Sequence, residues 1–292
     1  MSKISDEIRR DWKAGDAIRD AGLTTPDSVK RFDDICYGDD KNWQLLDVYR
    51  PKDAMGKLPV IVSVHGGGWV YGDKELYQFY CMDLARRGFA VVNFTYRLAP
   101  EFKFPASLID TKMVFEFVYK NANEYGFDTD NVFALGDSAG AHLLSIFALA
   151  CTDANYGKRV GVEIDPGLTP RALALNCGKY MFEKEEDEMH VQLMADLLPN
   201  KGTAEELDML SSAKYIGKDF PPTFLMTCTD DFLKDQAGYM VTAMMASQVP
   251  FEFHYYGTAT NLLPHVFMCD MRSKDGQICN DEECRYFKDH MK

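Results

Sequence analysis

No stretch of this sequence is apolar for long enough to cross a bilayer as a helix, which takes about 20 residues. The first ten residues, Met-Ser-Lys-Ile-Ser-Asp-Glu-Ile-Arg-Arg, carry charge from the start and lack the apolar core of a secretory leader. Positive charge is scarce: 32 Lys and Arg stand against 45 Asp and Glu, a formal net charge of -13. Such a surface repels nucleic acid and anionic lipid, so neither is an expected partner. Zinc-type spacing is missing too. The eight cysteines, at 36, 81, 151, 177, 228, 269, 279 and 284, form no Cys-x-x-Cys pair, and Cys279 and Cys284 lack histidines at ligand distance. Without a leader, reduced thiols and a cytoplasmic location are expected. Cys151, Cys177 and Cys228, set in apolar runs, read as small buried hydrophobes. Internal repeats and low-complexity tracts do not occur.

What is present suits a globular protein with a sizeable core. The chain has 292 residues, 46% of them hydrophobic and 26% charged. Apolar, β-branched runs predict strands at 42–49, 58–64, 89–94, 132–135, 171–176, 223–229 and 251–256. Helical spacing predicts helices at 75–87, 105–125, 141–151, 235–247 and 281–292. A further amphipathic helix is expected over 1–20, with Ile4, Ile8, Trp12 and Ile18 on one stripe, and Thr25-Pro26 reads as a helix start. Strands alternating with helices of this length indicate an α/β protein with a mostly parallel sheet covered on both faces. Chemistry in such folds gathers at the carboxyl ends of the strands.

Residues 179–216 interrupt the alternation. Two helices are expected there, near 185–198 and 203–212, the second opened by a Thr203-x-x-Glu206 capping box. With residues 1–40, this segment reads as a small helical lid on a single domain spanning 1–292. The acidic run Glu183–Glu188 reads as a solvated helix face, not a metal site.

The stretch from Val132 to Leu144 carries the chemistry. A buried strand runs into Gly136-Asp137-Ser138-Ala139-Gly140, and a helix pattern follows. Glycines at 136 and 140 permit strand and helix to meet closely, projecting a serine hydroxyl at the positive end of a helix. This is the strand–turn–helix of a nucleophile elbow; alone, it would also suit a turn with a capping serine. A serine needs a base, and acyl transfer needs donors for an oxyanion. His65-Gly66-Gly67-Gly68-Trp69, directly after the strand at 58–64, supplies such a donor loop. A phosphate loop would end in Lys-Ser or Lys-Thr, which Trp69-Val70 does not offer.

These motifs, with Tyr96-Arg97-Leu-Ala-Pro-Glu101 and Phe104-Pro-Ala106, occur in an order that resembles the hormone-sensitive-lipase branch of the α/β-hydrolase superfamily. The similarity spans roughly residues 40–270. It implies an α/β-hydrolase fold with a central sheet of about eight strands. It also implies Ser138 as nucleophile, with the backbone amides of Gly67, Gly68 and Ala139 forming the oxyanion hole. Trp69 and Asp137 are further candidates for substrate contact. Thr229-Asp230-Asp231-Phe-Leu-Lys-Asp235 resembles the family's Asp-x-Leu-x-Asp stretch and puts Asp231 in register as the acid, with Asp230 the alternative one residue away. Tyr96–Glu101 is implied to be a structural loop fixed by an arginine–glutamate pair.

Of six histidines, His65 belongs to the donor loop, His142 to the elbow helix, His190 to the lid, His254 to a strand and His290 to the last residues. His265 is left as the base, giving the order Ser138, Asp231, His265 typical of this superfamily. Here the chain departs from the family pattern. His-Gly-Phe soon after Tyr-x-Gly is usual, whereas this chain has nine residues from Tyr256 to Pro264 and then His265-Val266.

The expected activity is a serine carboxylesterase on short acyl esters, needing no metal or organic cofactor. Acetyl esterase action on sugars or xylan fragments, with Tyr180 and Phe182 shaping a sugar site, is an alternative. A peptidase or amidase and a ligand-binding protein on a hydrolase scaffold are the others. The expected partner is a small ester; the resemblance adds a homodimer, for which no segment supplies an interface.

Overall fold

The computed structural model describes residues 2–183 and 188–292. Its centre is set by an apolar, β-branched run. Val60, Ile61, Val62 and Val64 of β3 (Leu58–Val64) are fully buried, as a strand covered on both faces requires. Around it lie β1 (Val29–Cys36), β2 (Leu45–Pro51), β4 (Ala90–Phe94), β5 (Phe127–Asp137), β6 (Leu173–Asn176), β7 (Thr223–Cys228) and β8 (Phe251–Tyr256). The order is β1-β2-β4-β3-β5-β6-β7-β8. β1 and β2 pair antiparallel, as do β2 and β4; every other pairing is parallel.

Alternating side chains of the sheet feed two cores. On one side, Val60, Val62 and Val64 pack with Phe115 of α3 (Ala106–Lys120), Phe147 of α5 (Ala139–Thr152) and Met240 of α9 (Gln236–Ala246). On the other, Ile61, Phe133 and Phe224 pack with Tyr80 of α2 (Lys74–Ala85) and Phe287 of α10 (Lys274–Asp289). Short helices α4 (Ala122–Tyr125) and α6 (Ala154–Arg159) join these layers. The segment above the strand ends holds α7 (Glu188–Leu197) and α8 (Ala204–Leu210), with the Thr203/Glu206 capping box formed. Residues 184–187 of the expected acidic helix face lie outside the described residues. The eight sulfurs are free thiols, and only Cys36 is exposed. Among the described residues, no helix is long and apolar enough to cross a membrane.

Several local expectations are corrected. Thr25-Pro26 opens no helix. The Val29 amide donates to the Pro26 carbonyl and Lys52 pairs back to Ser28, so this stretch turns into the edge strand β1. That strand, VKRFDDIC, reads as charged because half its residues face solvent. The helix expected over 105–125 breaks at Asn121, whose side-chain amide donates to the Phe117 carbonyl. The final helix starts at Lys274, capped by Ser273, rather than near 281. Ile18, expected on the apolar stripe of α1 (Lys3–Asp20), is exposed, whereas Ile8 is buried.

The contact between β3 and the start of α5 is the tightest in the fold. A Cβ on Gly140 would stand 2.0 Å from the Val64 carbonyl oxygen and 2.6 Å from that of His65. Both are backbone atoms held in the sheet and its following loop, so neither can yield cheaply. Overpacking of this kind costs about 1–3 kcal/mol. Gly140→Ala is therefore expected to lower the thermal unfolding midpoint by several degrees, at about 2–4 °C per kcal/mol for a chain approaching this size. An unchanged midpoint in calorimetry would mean that β3 and α5 do not meet this closely.

Candidate active site

Ser138 stands between the end of β5 and the start of α5, at φ 51°, ψ -117°. This lies outside the wells open to a residue with a Cβ and costs on the order of 1–3 kcal/mol. It is held there from both sides. Its amide donates to the Asn176 carbonyl (2.9 Å), and its own carbonyl accepts from the His142 amide (3.1 Å). The next residue, Ala139, opens α5, so its N–H has no acceptor within the helix.

The glycine loop follows β3 alongside. Gly67 adopts φ +116°, open only to glycine, and a Cβ there would stand 2.0 Å from the Tyr71 carbonyl oxygen. Its carbonyl accepts from the amides of Val70 and Tyr71, turning the loop back on itself. Asp137 ties this loop to the elbow: Oδ1 accepts from the Gly66 amide (3.1 Å) and Oδ2 from the Tyr77 hydroxyl (2.8 Å). His65 is a buried pillar, stacked on Tyr96 with ring centroids 4.0 Å apart, and burial lowers its pKa to about 4.

Asp231, after β7, is fully buried. Its Oδ1 receives His265 Nδ1 at 2.6 Å and the Leu233 amide at 2.8 Å, and its Oδ2 the Thr227 hydroxyl at 2.7 Å. Burial alone would raise the carboxyl's pKa. These hydrogen bonds, His265 foremost, hold it below the usual carboxylate range. With Nδ1–H committed to Asp231, the neutral ring of His265 keeps Nε2 as an acceptor. Asp230 plays a different part: its amide donates to the Leu263 carbonyl (3.0 Å), pinning the long loop after β8. The Thr229 hydroxyl accepts from the Leu263 amide (2.9 Å) in the same junction. Thus the extra loop residues are anchored on β7, and His265 still reaches Asp231. Val266 occupies the place of the family's usual glycine at φ 55°, a left-handed conformation unfavourable for a β-branched side chain.

Ser138, His265, Asp137, Gly66 and Gly67 share one cavity of roughly 270 Å³. Its roof is α1, from which Trp12, Gly15, Asp16 and Arg19 line the space. A Cβ on Gly68 would lie 3.5 Å from the Trp12 ring, so the indole covers the glycine loop. Phe232 packs against His265 with ring centroids 4.3 Å apart and the rings tilted at 45°. Arg9 pins α1 through Glu101 and the carbonyls of Val70 (2.7 Å) and Ala99 (3.0 Å), and the Tyr71 hydroxyl donates to Asp16 (2.7 Å). Trp12 was legible only as part of an apolar stripe, and Phe232 as a residue beside the acid. A second cavity, of about 590 Å³, opens behind Tyr71 and Gly72. Its buried Lys74 is paired with Asp34, Asp47 and Glu75, and neither a serine nor a histidine lines it.

Three expected contacts lie elsewhere. Trp69 is buried away from the cavity, its Nε1–H donating to His142 Nδ1 (3.1 Å) and its ring packed on Phe182. A large indole after three glycines folds into the core instead of facing substrate. Tyr180 and Phe182 are likewise buried and do not line the cavity. Arg97 pairs not with Glu101 but with Asp110 (2.8 Å), while Glu101 accepts from Arg9 (2.7 Å). His142 is a packing residue, its Nε2 directed at the Leu210 carbonyl (3.0 Å).

The Asp137 carboxyl gives a pH signature. Burial raises its pKa from 3.8 to about 6, even though Tyr77 and the Gly66 amide favour the anion. The folded protein therefore keeps this proton at pH values where the unfolded chain has released it. Its stabilising effect is full below pH 3.8 and is lost as pH rises through about 6. In guanidinium unfolding from pH 4 to 7, Asp137→Asn is expected to gain stability relative to the native protein by roughly 3 kcal/mol across that range. Parallel profiles for the two proteins would assign the raised pKa to another group.

Known proteins resemble this chain over most of its length. The BD-FAE family model matches residues 46–237. Versiconal hemiacetal acetate esterase of Dothistroma septosporum is 27% identical over 290 residues, covering 88% of this chain and 86% of that protein. The probable carboxylic ester hydrolase LipM of Mycobacterium tuberculosis is 31% identical over 210 residues, 68% of this chain but 48% of LipM. Among solved structures, esterase B of Lactobacillus rhamnosis with a C4-C4 tributyrin phosphonate superposes with a TM-score of 0.89. It is 25% identical, and the match covers 99% of this chain and 96% of esterase B. An eight-stranded α/β-hydrolase sheet, an elbow serine and a glycine loop thus coincide with a family match over most of the chain, which belongs to the BD-FAE family within the hormone-sensitive-lipase-like esterases.

Proposed function

We propose that this chain is a serine carboxylesterase acting on short acyl esters through an acyl-enzyme, with Ser138 as nucleophile, His265 as base and Asp231 as its orienting acid. Family membership makes it a carboxylic ester hydrolase; the residues and the acyl preference are the proposal. The observation that carries the reading is the 2.6 Å bond from His265 Nδ1 to a buried Asp231, at the wall of the cavity that holds the elbow serine.

The steps follow from those positions. His265 Nε2 takes the Ser138 proton as the hydroxyl attacks the ester carbonyl, and the negative Asp231 stabilises the imidazolium that forms. The amides of Gly67, Gly68 and Ala139 receive the developing oxyanion. His265 then returns the proton to the leaving alcohol and later activates water to release the acid. Asp137 and Tyr77 act at one remove, holding the glycine loop against the elbow.

Short acyl groups suit a cavity of roughly 270 Å³, just below the size range of drug-sized ligand sites. The pinned α1 roof favours the same choice. Acetate and C4 groups in the names attached to the two similar esterases point the same way. In this reading α1 and residues 188–216 form the lid, with α1 and α7 joined by Ser2 and Ser5 to Asp196.

Hydrolysis of p-nitrophenyl acetate, butyrate and decanoate tests this. The two short esters are expected to be substrates and decanoate a poor one. Ser138→Ala should abolish turnover, and Asp231→Asn should lower kcat by about 10⁴-fold by favouring the wrong histidine tautomer. Native turnover of acetate in Ser138→Ala would place the nucleophile elsewhere.

A further inference from the structure

Directly beneath the histidine loop lies a pair of thiols that the ester chemistry does not use. Cys177, just after β6, and Cys228, ending β7, are both buried. Their sulfurs and a carboxylate oxygen of Asp231 all lie within 4.8 Å of one another, the one such group among the described residues. Cys177 holds φ +50°, uncommon for a residue with a Cβ, and its amide donates to the Met226 carbonyl (2.9 Å). Its sulfur also lies 3.8 Å from Met226 Sδ. The Cys228 thiol donates to the Pro264 carbonyl at 3.3 Å, so it touches the residue before His265.

We propose that Cys177, Cys228 and Asp231 form a binding site for one thiophilic divalent cation, and that its occupation switches off the active site. Two sulfurs and one carboxylate oxygen select soft or borderline ions such as Cd²⁺ and Zn²⁺ over Mg²⁺ or Ca²⁺. Metal–sulfur bonds of about 2.3 Å in a tetrahedral site place two sulfurs about 3.8 Å apart, inside the 4.8 Å within which these ligand atoms already lie. Each thiol gives its proton to solvent on ligation, and water completes the shell. The ion draws on the carboxylate that orients His265 and competes with its bond to His265 Nδ1; because two protons leave as one dication enters, the net charge of the site is unchanged. It also displaces the Cys228–Pro264 bond that seats the loop. Entry runs from the cavity, whose wall includes His265 and Val266 above the thiols.

The inhibitory half rests on the triad reading; the binding half does not. Cd²⁺ added to the intact protein reports the two separately, by the ultraviolet thiolate-to-cadmium charge-transfer band and by p-nitrophenyl acetate hydrolysis. Expected are one Cd²⁺ per chain, the same half-saturation in both signals, and reversal by EDTA. Cys177→Ser and Cys228→Ser are near-isosteric, and either alone tests the site. Each should weaken the band and raise the inhibitory concentration by at least about tenfold, measured against its own untreated rate. Cys36→Ser, which removes the exposed thiol, should leave both signals as in the native protein. A band undiminished in Cys177→Ser and Cys228→Ser overturns the site. A band that needs both cysteines while hydrolysis continues unaffected keeps the site and overturns its inhibitory role, whereas the triad reading itself stands or falls with Ser138→Ala and Asp231→Asn.

Discussion

A serine at φ 51°, ψ -117° is uphill, and it persists only because neighbours leave no other path. β5 is locked between β3 and β6, and α5 is pressed so close to β3 that Gly140 meets the Val64 carbonyl. The chain must pass from strand to helix within one residue, and that residue projects its side chain out of the sheet. Everything else in the site is arranged around this forced turn. Asp137, one residue earlier, reaches Gly66 and fixes the glycine loop; Asn176, at the end of β6, fixes the serine amide. The strain is distributed into a core that cannot relax, so the hydroxyl is presented without motion.

The same logic explains why His265, the proposed base, keeps its place despite an unusual loop. Eight residues separate β8 from His265, enough to move an unanchored side chain well away from Asp231. Backbone bonds from Asp230 and Leu263 stitch the loop to the end of β7. Asp231 follows the anchoring residue directly, so Asp231 and His265 share one local frame. The strained Val266 is tolerated within that frame, as Ser138 is within the elbow.

Much of this was legible in the residues. Buried parallel strands announce themselves as β-branched runs, and the elbow, glycine loop and His265 sit at strand ends where their types have few other uses. Asp231 was separable from Asp230 only through the resemblance, and the structure turns one inward and ties the other by its backbone. Tertiary partners were the illegible part. Arg97 has Glu101 four residues away but pairs with Asp110, and Glu101 binds Arg9, 92 residues earlier in the chain. The β1 edge strand was hidden because its outer face is charged. Trp69 and Trp12 exchanged expected places: an indole next to a donor loop was buried, and one on an ordinary amphipathic helix roofs the cavity. Periodicity says that a face is apolar, not what lies against it.

The position of β8 sets a limit on how long this arrangement lasts. The serine and the glycine loop hang from the middle of the sheet, but His265, the proposed base, follows its last strand, which has a neighbour on one side only. Edges open at lower free energy than centres. Fraying of that border reaches the His265–Asp231 contact only if the bonds from Leu263 and Pro264 to the end of β7 also release, while β3 and β5 remain intact. The durability of the site is a property of a margin, and it reports on that margin rather than on the melting of the molecule as a whole.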